Sequence, residues 1–172
     1  AGGQPIIETS DGQIITDLSS NGQHYRGIIK GENQSLVALS IYEENIMGLV
    51  SSQATGDWVL AQVDDQPGEY LYYEAADLSE RHTFDCATED SYRPYRKEEL
   101  APQTDLRNSS PCLQVYLEID NDVYRDKGGT QGTVEYITGI FNEVAVLYAN
   151  ENVNIQLSKL FLWSGTSPYN AS

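Results

Sequence analysis

The hydrophobic pattern changes period once along the chain, and that change limits what the chain can fold into. Up to Glu74, apolar and polar residues alternate in short runs, the period of a pleated strand. The runs are Gln13–Asp17, His24–Lys30, Ser35–Tyr42, Ile46–Ser51, Trp58–Val63 and Tyr70–Glu74. Within Ser35–Tyr42, Leu36 and Ala38 face one way and Val37, Leu39 and Ile41 the other, so both faces are apolar and the strand is central. Glu43-Glu44-Asn45, Gln53-Ala54-Thr55-Gly56 and Asp64-Asp65-Gln66-Pro67-Gly68 separate runs with hairpin-length turns. The pattern predicts an antiparallel meander or half-barrel with no helix of its own.

From Cys112 the pattern differs. Leu113, Val115, Leu117 and Ile119 alternate with Gln114, Tyr116 and Glu118, a strand that ends in a turn at Asp120-Asn121-Asp122. Gly128 and Gly129 mark a loop, after which Thr130 or Thr133 caps a helix. Val134, Ile137, Phe141, Val144 and Tyr148 then recur at three and four, one face of a helix reaching Asn150. A second strand runs from Val153 to Trp163. Strand, helix and strand make a βαβ unit, whose crossover is expected to be right-handed and parallel.

The expected class is therefore α+β: a β-rich unit at 1–84, a linker at 85–111 and a truncated βαβ unit at 112–172. Half of the ten Lys and Arg residues lie between Arg81 and Pro111, together with Pro94, Pro102 and Pro111, and that mixture reads as a linker. One helix covers only one face of two parallel strands, whereas parallel sheets are normally covered on both. The second unit thus reads as the opening of a larger α/β domain, completed by further polypeptide or by a second copy of the chain. Trp58 and Trp163 fall in strands and are expected in the core.

Charge narrows the partners. The 172 residues carry a net charge of -16. Such a chain repels phosphate backbones and anionic membrane surfaces, so neither nucleic acid nor membrane is expected. No apolar run is long enough to span a bilayer. The sequence begins Ala1-Gly2-Gly3 with no basic-then-apolar segment, so any signal peptide is expected to have been removed or never to have been present. Twelve Tyr against three Phe suits half-exposed strands of a secreted or cell-surface protein.

Several stretches carry a resemblance. Cys112 to Tyr124, the helix with Val134 and Phe141-Asn142-Glu143-Val144, Val153-Asn154-Ile155 with Leu157, and Leu160 to Trp163 resemble the start of an adamalysin/reprolysin-type zinc metalloprotease domain, of the metzincin group. The stretches His24 to Gly27, Ser35 to Ser40 and Gly48-Leu49-Val50 are similar to the propeptide that precedes such domains. The resemblance implies a secreted zymogen: a propeptide that keeps the enzyme latent, then the first part of the catalytic domain, whose remainder is the implied partner. It also implies zinc in the parent enzyme, held by a helix of the form His-Glu-x-x-His with a third His.

That helix is not in this sequence. Its histidines are His24 and His82, neither in the motif, so no catalytic and no metal-binding residue is assigned and the chain alone is expected to be inactive. The family's calcium site takes an acid in the first strand where this chain has Gln114, which argues against calcium. His82 and Cys86 supply two ligands where a structural zinc site takes four, and Asp120-Asn121-Asp122 lacks the Gly and distal Glu of a calcium loop. Cys86 and Cys112 flank the linker. They are expected either to form a disulfide or, for Cys86, to act as a cysteine switch whose thiolate fills the open position of the zinc. Arg96-Lys97 is a candidate activation-cleavage site. Asn33, Asn108 and Asn170 match the glycosylation acceptor pattern. The reading from a different class is a non-catalytic β-rich interaction module.

Overall fold

One long helix lies between two sheets. The computed structural model describes residues 4–16, 22–63, 66–78 and 112–169. Strands β3 (Gln23–Ile29), β4 (Glu32–Ile41), β5 (Ile46–Ser52), β6 (Gly56–Gln62) and β7 (Tyr70–Glu74) form a five-stranded antiparallel meander in sequence order. The expected central strand pairs on both sides, Leu39 opposite Tyr25 and Gly48. A single 3-10 turn, Ala75–Asp77, follows it.

The second sheet runs β2-β1-β9-β8. Strands β8 (Cys112–Ile119) and β9 (Asn154–Leu162) are parallel, as the βαβ pattern predicts. The helix between them, α2 (Thr130–Asn150), starts slightly earlier than the apolar stripe implies, with Gly129 at its N-cap at φ 98° in place of a threonine cap. The expected turn after β8 is instead a short helix, α1 (Asn121–Asp126), because the Asp120 carboxylate accepts a hydrogen bond from the Asn121 backbone N–H.

The first two strands depart from expectation. Strand β1 (Ile6–Thr9), which the pattern does not mark, lies parallel to β9 with Ile7 opposite Leu160 and Thr9 opposite Leu162. The run Gln13–Asp17 keeps only β2 (Ile14–Ile15), which folds back on β1 and not onto the meander. Burial supplies the reason. Ile7 is 5% exposed and joins Ile119, Val134, Leu157, Leu160 and Leu162 in the core under α2, which β8 and β9 do not close unaided. Residues 4–16 thus share a sheet with 112–169, although residues 79–111 stand between the units in sequence.

A bulge explains why β9 lacks a clean period of two. Register shifts at Val115/Tyr116, where Ser158 is the extra residue and its hydroxyl donates to the Val115 carbonyl at 2.8 Å. Leu157 and Leu160, three apart, both reach the core as a result.

Candidate functional site

The richest polar cluster lies where α2 meets the meander. Thr138, Gly139, Asn142 and Ala145 recur at helical spacing on this side of α2, away from its apolar stripe. Asn142 is 2% exposed and saturates its amide. Its Oδ1 accepts from Arg26 Nε at 2.8 Å, while its Nδ2 donates to the carbonyls of Tyr25 and Leu39, both at 3.3 Å, and to Ser40 Oγ at 3.2 Å. His24 Nδ1 shares a 2.9 Å hydrogen bond with the same Ser40 hydroxyl. Tyr42 and Thr138 join hydroxyls at 2.8 Å. Gly139 admits the strand: a Cβ there would lie 2.1 Å from Met47 Sδ.

Electrostatics follow burial. Desolvation, reinforced by the Arg26 charge, holds His24 below its ordinary value. Desolvation also lowers Arg26, and it pushes the Tyr42 phenol up to about 12. The next residue on the helix, Glu143, is pushed up to about 7 by burial. A carboxyl raised in the folded state binds its proton more tightly there than in the unfolded chain. Its stabilisation is complete below the ordinary value of 4.5 and is lost as pH rises through 7. Thermal melts of the chain should therefore favour pH near 5 over pH near 8, and Glu143→Gln should shrink that difference. An unchanged difference in the variant would assign the pH effect to other groups.

The second feature is the face of the β8–β9 sheet turned away from α2. Glu118 is its hub: one carboxylate oxygen accepts from Trp163 Nε1 at 2.7 Å and Tyr169 OH at 3.0 Å, the other from Tyr116 OH at 3.4 Å. Lys159 pairs with Glu8 and lies 5.9 Å from the ring centres of Tyr116 and Phe161. Trp163 is half-buried here, and Trp58 stacks on exposed Tyr72, so neither tryptophan is the core residue expected; each indole N–H finds its acceptor at the wet margin of a sheet.

The third feature is a groove of about 380 Å³ beside the edge of β8 that has no partner strand among the described residues. It is lined by Leu113, Val115 and Leu117 below and by Ile137, Phe141 and Val144 of α2 above.

The candidate residues from the sequence fall as follows. Cys112 is exposed at the start of β8, with no disulfide partner among the described residues. Cys86, His82, Arg96 and Lys97 lie outside the described residues. Gln114 pairs its amide with Gln156 at 3.3 Å on the exposed face. Asp120 and Asp122 are occupied as a helix cap and as the partner of Arg125. No group of three or more His, Cys, Asp or Glu able to hold a metal occurs among the described residues. Nor, among them, is any helix long and apolar enough to cross a membrane. The Asn142 cluster was missed because a polar stripe at helical spacing looks like a solvated face; a Gly and an Asn three apart within it were the available signal. No family model and no curated protein matches the chain.

Proposed function

We propose that the chain is the propeptide and N-terminal catalytic-domain segment of a secreted zinc-dependent endopeptidase, in which residues 1–84 keep the enzyme latent and residues 112–172 scaffold its sheet. The observation that supports this most is the incomplete β8–α2–β9 unit. Among the described residues its outer edge has no pairing strand beside the apolar groove and nothing covers its aromatic outer face, while the meander is hydrogen-bonded to the opposite side of α2. A parallel sheet in that state has room for another strand and another layer.

The described residues do not fit the zinc of this reading. Their one histidine, His24, has its Nδ1 engaged with Ser40, and no group of three metal ligands occurs among these residues. The metal and the peptide-cleaving groups therefore belong to polypeptide beyond these residues. In this reading Arg96-Lys97 is the activation-cleavage site. Cys86 either pairs with Cys112, whose thiol is exposed, or serves as the latency thiolate.

The test compares two proteins. The full-length gene product should hold stoichiometric zinc through dialysis. It should cleave casein, in a chelator-sensitive way, after limited trypsin treatment removes the propeptide. The 172-residue chain should do neither. A full-length product without zinc or activity overturns the proposal, as does chelator-sensitive proteolysis by the short chain.

A further inference from the structure

The N-terminal hairpin occupies its place in the second sheet much as a separate ligand would. Strand β1 pairs with β9 and β2 with β1, and neither joins the sheet of the meander that follows them in sequence. Five successive residues carry the fit. Ile6 points out and is 55% exposed, whereas Ile7 is buried among Leu160, Leu162 and Val134. Glu8 pairs with Lys159 on the outer face. Thr9 is buried again, and Ser10 closes the end. The Ser10 backbone N–H donates to the Leu162 carbonyl at 2.8 Å, and its hydroxyl lies 3.1 Å from Ser164 Oγ and accepts from the Gly165 N–H at 3.3 Å. Each of these partners is supplied by residues after Cys112.

We propose that the β9 edge, roofed by α2, is a strand-acceptor site for an extended peptide. Such a peptide carries an aliphatic residue at the Ile7 position, an acid next to it for Lys159, and hydroxyl residues after that; residues 4–16 of this chain are its exchangeable occupant. The backbone of β9 provides affinity that any extended peptide can use, as in other strand-addition complexes. The buried Ile7 site, the Lys159 ammonium and the Ser164–Gly165 corner provide the selection among peptides. If the protease reading also holds, cutting the chain between its two units does not release the first, which stays hooked to the second through β1.

The probe is a fluorescently labelled peptide of residues Gln4–Thr16. In the intact chain, Ile7→Asp places a charge in the core and expels the resident strand. The labelled peptide should then bind this variant about a hundredfold more tightly than the unaltered chain, whose site is filled. Hydrogen exchange across Lys159–Leu162 should rise in the variant and fall again when peptide is added. A labelled peptide that itself carries Ile7→Asp should not bind. Should the variant not fold, a second form keeps the question open to refutation: the unaltered chain with a site-specific protease sequence inserted between Ser19 and Ser20. After cleavage, native mass spectrometry should find the short piece still attached, and excess labelled peptide should replace it. Loss of the piece on cutting, failure of excess peptide to replace it, or equal binding of the altered peptide would each overturn the proposal. Neither zinc nor any peptidase activity of the protein itself enters these measurements, so they stand or fall apart from the protease reading.

Discussion

A chain trimmed to Cys112–Ser172 is expected to show no cooperative thermal transition by circular dichroism and to sediment as aggregate. Trimming removes β1, whose Ile7 side chain alone is worth about 1.5–3 kcal/mol when buried. It also uncovers the Thr138, Gly139 and Asn142 side of α2, which exchanges its four Asn142 hydrogen bonds and its packing for water. Finally it turns β9, now paired on both sides, into an open edge beside the uncovered core leucines Leu160 and Leu162. Domains of ordinary size have only about 5–15 kcal/mol of stability in total, so these losses exceed what sixty-odd residues can supply. A cooperatively melting monomer would show instead that the βαβ unit is self-sufficient, and the main physical support for reading it as part of a larger domain would go with it.

The second large effect is expected at Asn142→Leu. The side chain is close in size but offers no hydrogen bonds. The exposed Arg26 then turns its guanidinium to water, while the buried Ser40 loses a donor and the Tyr25 and Leu39 carbonyls lose theirs. Leaving such buried groups unpaired costs about 3 kcal/mol. For a chain of this length that corresponds to a fall of about 6–12 °C in Tm. The double variant Arg26→Leu with Asn142→Leu should cost less than the two single variants summed, because both remove the same contact. If the two costs simply add in calorimetric melts, the Arg26–Asn142 contact carries no coupling energy and the meander is held to α2 by packing and by the other hydrogen bonds of Asn142 and Thr138.

Much of the fold was legible in the sequence because it depends on one face per element. The alternation in Ser35–Tyr42 and Ile46–Ser51 and the three-and-four stripe of α2 are each written by burial on a single side, and both are found. What was hidden depends on two faces or on very short pairing. Helix α2 is buried on both sides, and its second side uses Thr138, Gly139 and Asn142, residue types that resemble a wet surface until Arg26 and Ser40 are brought against them. Strand β1 contributes one inward side chain, too little for any periodic signal. The Ser158 bulge breaks the alternation of β9 from within. Of the candidate site residues, Cys112 is placed, while the placement of Cys86, Arg96 and Lys97 depends on a stretch whose charge and proline content give no period to follow.

The position of β1 also bears on how the chain is made. Ser10 and Ser164 touch, 154 positions apart, so during synthesis β1 can pair with β9 only after the intervening residues have followed it. At translation speeds of about 5–20 residues per second, that wait is on the order of ten seconds. Throughout it Ile6 and Ile7 lack the strand that pairs with them natively. The meander, built from neighbours in sequence, closes long before. The β1–β9 pairing is therefore a late event, and a nascent-chain chaperone with a taste for aliphatic pairs would meet residues 6–15 well before their partner strand exists.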